Sequence, residues 1–387
     1  MAGLNSGLRR VAEVQQKHAK KLLVVVLILT LFMAAGLPNL KLQTDFSKEM
    51  PQDLPITKLN DRVADTFSGQ DTMIVLLTLD DDADAATALR DIRDQSVIEY
   101  LTVLEDSLKS ESDVVDVVSP ATYLRGVPIT SNEMLKEIIT TTPAGAFVSD
   151  DYETMLMFVS ADVGAADEKI IALDSLIRDK VESAPKPPGV DVMVTGTPQI
   201  MVTLFDLLGQ DALNTIIYAS IIILILLFII QKSIVRGIVV FTPLVIGLIW
   251  AYGTLGWLDI RISIATAGLG AIILGLGVEY GAFMLNRYRE ERATKTQLES
   301  LQIAVPSIGR AIMGSGVTTI VGFLALTFSV MPMLQNLGFS LAIGIFYSLL
   351  AAIFVQPLII VFREGFMEKY NKKKLEKYKT KVNRRRK

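Results

Sequence analysis

The chain of 387 residues has no cysteine, which excludes disulfides, thiol catalysis and thiolate-held metals. Its one histidine, His18, stands in the N-terminal segment, so neither a buried imidazole relay nor a histidine-rich metal centre can be built from it. No Gly-x-x-x-x-Gly-Lys-Ser/Thr string occurs, so machinery for direct nucleotide hydrolysis is not visible. The long apolar runs contain no aspartate, whereas an intramembrane aspartyl protease needs two. These absences point away from an enzyme and away from any cofactor. Charge is not scarce: charged residues make up 20% of a chain that is 51% hydrophobic, so the two must be segregated. A net charge of −3 hides an acidic stretch from Leu40 to Ala212 and a basic tail from Lys369.

Six runs are long enough to cross a hydrocarbon core of about 30 Å, which takes about 20 helical residues. They are Leu22–Leu40, Leu213–Ile230, Val235–Leu255, Ser263–Leu285, Ala311–Met331 and Leu337–Phe362. The first could also be read as a signal peptide, with Arg9, Arg10, Lys17, Lys20 and Lys21 as its basic region and Met33-Ala-Ala-Gly offering small residues for cleavage, but its apolar stretch is long for that role. Lys232 and Arg236 follow the second run, and Arg287, Arg289, Arg292, Lys295 and Arg310 lie between the fourth and fifth. The opposite loops carry only Arg261. The positive-inside bias therefore places both termini in the cytoplasm and the acidic region outside, in a multi-pass protein of the cytoplasmic membrane. The basic tail reads as positive-inside anchoring rather than a nucleic-acid site. The stretch Thr294–Ser307 suits a short cytoplasmic interfacial helix.

The outer region reads as strand Thr72–Leu79, helix Asp91–Ser110, strand Asp113–Val118, strand Thr154–Val159, helix Asp167–Glu182 and strand Val190–Thr195. That order is the split βαβ arrangement of an α+β ferredoxin-like (βαββαβ) domain. A short helix Thr57–Thr66 precedes it, and Ser131–Thr140 is an insertion. The Asp80–Asp84 run lacks EF-hand spacing and reads as a solvated turn, not a calcium site.

Glu279 is the exception within the fourth run. A carboxylate at the bilayer centre costs about 2.5–3.5 kcal/mol on insertion scales, so it should face protein or water, and such acids are functional by default. Burial should favour its neutral form, and a carboxyl poised between its two protonation states is what a proton-coupled machine needs. The plainer reading is a polar packing group. Glu279 lies eight positions before Arg287, about 12 Å along a helix. Thr318 is eight after Arg310, Gln356 seven before Arg363 and Thr242 six after Arg236, so these form one polar layer, extended by Ser315 and Thr319. Ser and Thr also pack membrane helices routinely, at about 0.6 kcal/mol each. Gly275, Gly277 and Gly281 surround the acid and allow a second helix close approach.

One span, an outer βαββαβ domain and five more spans resembles the half-unit of the resistance-nodulation-division (RND) transporters. Gly275-Leu-Gly-Val-Glu279-Tyr280 resembles the Gly-x-x-x-Asp-Tyr motif of their MmpL-like, hydrophobe/amphiphile efflux branch, and Ala311-Ile-Met-Gly-Ser-Gly-Val-Thr-Thr319 is similar to that branch's fifth span. The resemblance implies a porter domain at 41–210, between a cytoplasmic N-terminus with the first helix at 1–40 and helices two to six at 211–364, then a basic cytoplasmic tail at 365–387. It implies proton relay at Glu279 and Tyr280, protons as the only coupling agent, and export of lipids or other amphiphiles. Glutamate stands where the branch has aspartate, one methylene longer. Relatives of this kind usually carry two such halves, and no internal repeat is present here, so a homodimer is expected. Two alternatives share the architecture: an accessory subunit of protein translocation similar to SecD and SecF, and a lipid-sensing or scaffold protein.

Overall fold

The computed structural model describes residues 2–43, 49–66, 71–80, 89–161 and 167–367. Of the Asp80–Asp84 run only Asp80 is included, and the tail from Lys369 lies outside the described residues. The chain divides into two compact units, residues 44–207 and residues 1–43 with 208–387. Helices α1 (Ala2–Lys17) and α2 (Ala19–Ala34) open it.

The first unit is built on a four-stranded antiparallel sheet in the order β2-β3-β1-β4. After α3 (Pro55–Thr66) come β1 (Asp71–Leu79), α4 (Gln95–Lys109), β2 (Val114–Val118), α5 (Pro120–Leu124) and α6 (Asn132–Thr141). β3 (Thr154–Ala161), α7 (Asp167–Ser183) and β4 (Val190–Gly196) complete it. Alternation aims Met73, Val75 and Leu77 of β1 and Met155, Met157 and Val159 of β3 at one face, where α4 supplies Val97, Leu101, Leu104 and Leu108. Asp94 caps α4 by accepting from the Ser96 N–H, and the Tyr100 hydroxyl donates to the Val181 carbonyl at 3.2 Å, tying α4 to α7. Fully buried Glu105 accepts from Lys109 at 2.8 Å, Ser119 at 3.0 Å and Thr122 at 3.1 Å, and pairs with Arg125. At the β1–α4 connection the Arg93 guanidinium pairs with Asp91 and lies 3.3 Å from the Tyr152 ring centre. Partial burial alone would raise the Asp91 pKa, but bonds from the Arg93 side chain and backbone and from Lys136 outweigh it and bring it down to about 2.

The second unit is helical. With α2 it contains α8 (Thr197–Gln231), α9 (Ile234–Trp257), α10 (Leu269–Arg292), α11 (Gln297–Leu324) and α12 (Pro332–Leu350). The last runs on through a π-helical turn at Ala351–Val355 to Met367. Among the described residues, six helices are long and apolar enough to span a membrane: Ala19–Asn39, Thr197–Gln231, Ile234–Trp257, Ile264–Arg292, Gln297–Phe328 and Pro332–Met367. The first packs on α9 backbone to backbone. A Cβ on Gly253 would collide with the Met33 carbonyl and one on Gly256 with the Gly36 carbonyl, while the Trp250 indole donates to Thr30 at 3.0 Å.

Two features depart from the sequence reading. The expected interfacial helix at 294–307 is not separate: a capping box between Thr296 and Glu299 starts α11, which runs unbroken into the fifth span. Pro306 sits buried inside α11, where it removes one backbone hydrogen bond and crowds the carbonyl a turn earlier. The second is α1, a helix in the cytoplasmic N-terminal segment for which the sequence reading named no element. Its buried Leu8, Ala12 and Gln15 form one stripe; Leu8 meets α11 at Gly309, and Gln302 donates to Glu13 at 2.7 Å.

Candidate functional site

The site is built on α10, whose two faces have different neighbours. Leu269, Ile273, Gly277, Tyr280, Gly281, Met284 and Tyr288 recur at helical spacing and are buried. Ile272, Gly275, Glu279, Phe283 and Asn286 form the opposite, exposed stripe. Glu279 lies about 200° around the helix from both Gly277 and Gly281. Within the protomer it makes no hydrogen bond or ion pair with any described residue.

Tyr280 points elsewhere. It is buried, and its hydroxyl reaches α11 beside Gly316, where it engages the side chains of Ser315 and Thr319. Thr319 donates its own proton back to the Ser315 carbonyl at 3.0 Å, so its oxygen is free to accept from the tyrosine. Thr318 likewise spends its proton on the Gly314 and Ser315 carbonyls and is exposed with Ser315 on α11. The phenol thus sits in a polar seam between α10 and α11, while the carboxyl of the preceding residue faces outward.

The rest of the expected layer does not join this seam. Gln356 is fully buried on the other side of α10, where its amide donates to the Gly281 carbonyl at 2.7 Å. Thr242 donates to the Ile238 carbonyl at 2.8 Å. Val240 and Leu244, two residues to either side, are the α9 residues that meet Gly281 and Gly277, so Thr242 projects from a different face. Equal depth along helices therefore did not mean a shared face. The glycines divide in the same way. A Cβ on Gly277 would meet Leu244 and Ser348 at 2.9 and 3.0 Å, and one on Gly281 would meet Val240 at 3.1 Å. Gly275, expected to pack closely as well, faces open space in the protomer.

Ser348 escaped the sequence reading. It is buried on the sixth span against Gly277, with no hydrogen-bond partner for its hydroxyl among the described residues, as is also true of the Gln356 carbonyl oxygen. Its spacing of eight from Gln356 was the available signal, since two helical turns bring both to one face.

Among the described residues, six apolar helices and a separate sheet unit define a multi-pass membrane protein. The profile of the MMPL family matches residues 49–386, and the chain belongs to that family of membrane transporters. It is similar to the membrane protein MJ1562 of Methanocaldococcus jannaschii, 33% identical over 350 residues that cover 88% of this chain and 90% of that one. It also resembles the siderophore exporter MmpL5 of Mycobacterium tuberculosis, 28% identical over 44% of this chain and 18% of the exporter. The apo-petrobactin exporter of Bacillus anthracis is 26% identical over 42% of this chain and 23% of its own length. The chain therefore aligns with only a minor part of either exporter.

Proposed function

We propose that this protein uses the proton-motive force to export or transfer lipids or other amphiphiles across or out of the cytoplasmic membrane. The observation that carries the reading is the placement of Glu279 on an exposed face of α10, next to Tyr280 and its hydroxyl seam on α11. A carboxylate cannot stay there against lipid without a cost of several kcal/mol, so the face needs either a partner or water. The exposed stripe of α10 that carries Glu279 also carries Gly275, which has open space around it and lets another helix come close. A two-fold homodimer centred on it would bring two Glu279–Tyr280 pairs together and exclude lipid from both. In this reading Glu279 takes up and releases the proton, Tyr280 relays it along Ser315 and Thr319, and the change in charge biases helix packing.

Export as the activity is supported by relatives named as a siderophore exporter and an apo-petrobactin exporter. Reading the sheet unit as a ferredoxin-like, extracytoplasmic porter domain is supported by its antiparallel order β2-β3-β1-β4, and the Lys/Arg bias of the short loops supports both termini inside. No cofactor other than protons and no nucleic-acid partner enters the mechanism.

The test is Glu279→Gln, which keeps the side chain's shape and cannot titrate. Movement of a labelled amphiphile in reconstituted vesicles should depend on the proton gradient in the parent and fall to background in the variant, with folding and dimer mass unchanged. Equal gradient-driven transport by both would reduce Glu279 to a packing group and end the proposal.

A further inference from the structure

The chain bends at His18, between α1 and α2, and the bend flanks two cavities against the end of the sixth span. One, of about 600 Å³, is lined by Lys17, His18, Lys20 and Lys21 together with Val361 and Phe362. The other, of about 370 Å³, is almost purely apolar and is lined by Val11, Val14, Leu22 and Val25 with Phe354 and Leu358. The two share one stripe of the sixth span, since Phe354, Leu358 and Phe362 recur every fourth residue. Lys17, Lys20 and Lys21 are exposed and form no ion pair with any described residue. The two acids close to the bend are already engaged: Glu13 accepts from Gln302, and Glu364 pairs with Arg292.

A cavity bearing three free cations beside an apolar trough is complementary to an anionic amphiphile. Free phosphate would satisfy the lysines and leave the trough unused; a neutral lipid would do the reverse. We infer that the α1–α2 bend and the end of the sixth span bind one anionic phospholipid, its phosphate held by Lys17, Lys20 and Lys21 and an acyl chain laid along Phe354, Leu358 and Phe362. Basic pockets at the cytoplasmic ends of membrane helices hold anionic head groups by the same balance of charge and apolar contact. The site lies in the leaflet next to the basic loops and is separate from the seam at Glu279, so it stands or falls independently of proton coupling.

Native mass spectrometry of the full chain, released from detergent with phosphatidylglycerol or phosphatidylcholine added, provides the test. The parent should retain one phosphatidylglycerol per protomer with a preference over phosphatidylcholine on the order of tenfold. Lys17→Gln, Lys20→Gln and Lys21→Gln together should abolish that preference, while Lys232→Gln with Arg310→Gln, which also removes exposed cations, should leave it intact. Val14→Trp with Val25→Trp should fill the trough and lower retention with the lysines in place. Equal retention of both lipids by the parent, an unchanged preference in the triple variant, or complete displacement of phosphatidylglycerol by inorganic phosphate would overturn the inference. The comparison of lipids on the parent decides the question even if a variant misfolds.

Discussion

Glu279 and Tyr280 are neighbours in the chain but project about 100° apart, which gives them different work. The tyrosine is locked in the α10–α11 seam by Ser315 and Thr319, and the glutamate looks outward. Tyr280→Phe keeps the packing and removes only a hydrogen-bonding group, so gradient-driven transport should fall by less than in Glu279→Gln; the two variants assayed side by side give the ranking. A separate residue-scale test lies outside the membrane. Asp91 has its pKa lowered from 3.8 to about 2, so its contribution to stability is present above pH 4 and is lost as pH falls from about 4 to 2. Asp91→Asn should therefore be less stable than the parent at pH 6, with the gap closing by pH 2.5. Hydrogen-exchange protection of β3 amides in the two proteins reads this directly. Glu279 stood out in the sequence because a carboxylate in an apolar run is conspicuous by composition. Its surroundings did not. Gly275 and Gly277 are identical letters two positions apart, yet one faces open space and the other meets Leu244 and Ser348. Thr242 matched Glu279 in depth and missed it in angle, because depth follows from counting residues whereas angle depends on which neighbours a helix finds.

At the scale of elements, runs of hydropathy and period-two alternation are local signals, and they delivered the spans and the strands. α1 escaped because its buried stripe is short and includes a glutamine. Gln15 is buried because its amide donates to the carbonyls of Ile353 and Phe354, in the π-turn of the sixth span, at 3.1 and 3.2 Å. A π-turn spoils the regular ladder and leaves carbonyls short of donors, and no sequence period announces it. Pro306 misled for a related reason: one proline costs a helix less than the packing of α1 and α11 returns. The contact of the first span with α9 gives the clearest prediction at this scale. Gly253→Ala puts a methyl group against the Met33 carbonyl, and backbone cannot rotate away as a side chain can. The substitution should cost about 1–3 kcal/mol, by analogy with overpacked cores, and lower the thermal unfolding midpoint of the purified protein. Gly275→Ala, in open space, is the matching control for helix propensity within the protomer.

For the whole molecule, the chain's lack of cysteine makes assembly easy to interrogate. If two copies meet on the exposed face of α10, a cysteine introduced at Gly275 should join them under mild oxidation and give a covalent dimer on a denaturing gel. A cysteine at Gly277, turned toward α9 and the sixth span of its own chain, should not. Equal cross-linking at both positions, or none at Gly275 while the purified protein has twice the monomer mass, would place the two-fold axis elsewhere. Division into two units was readable from the sequence as a change in composition. Which surface of the helical unit is left without a neighbour was not, since that is a property of packing and has no pattern of its own in the chain.

The π-turn at Ala351–Val355 is in effect one residue too many in an otherwise regular rod. A surplus residue acts as a phase offset: everything after it is turned back by about 100° and set back by about 1.5 Å relative to an uninterrupted α-helix. Gln356 is the first residue past the offset, and it is that rotation which aims its amide at the Gly281 carbonyl. Were the surplus to migrate along the rod, or be absorbed, Gln356 would swing off α10 and release the carbonyl on the glutamate's own helix. The sixth span therefore carries a built-in vernier, one notch wide, with Gln15 as its detent.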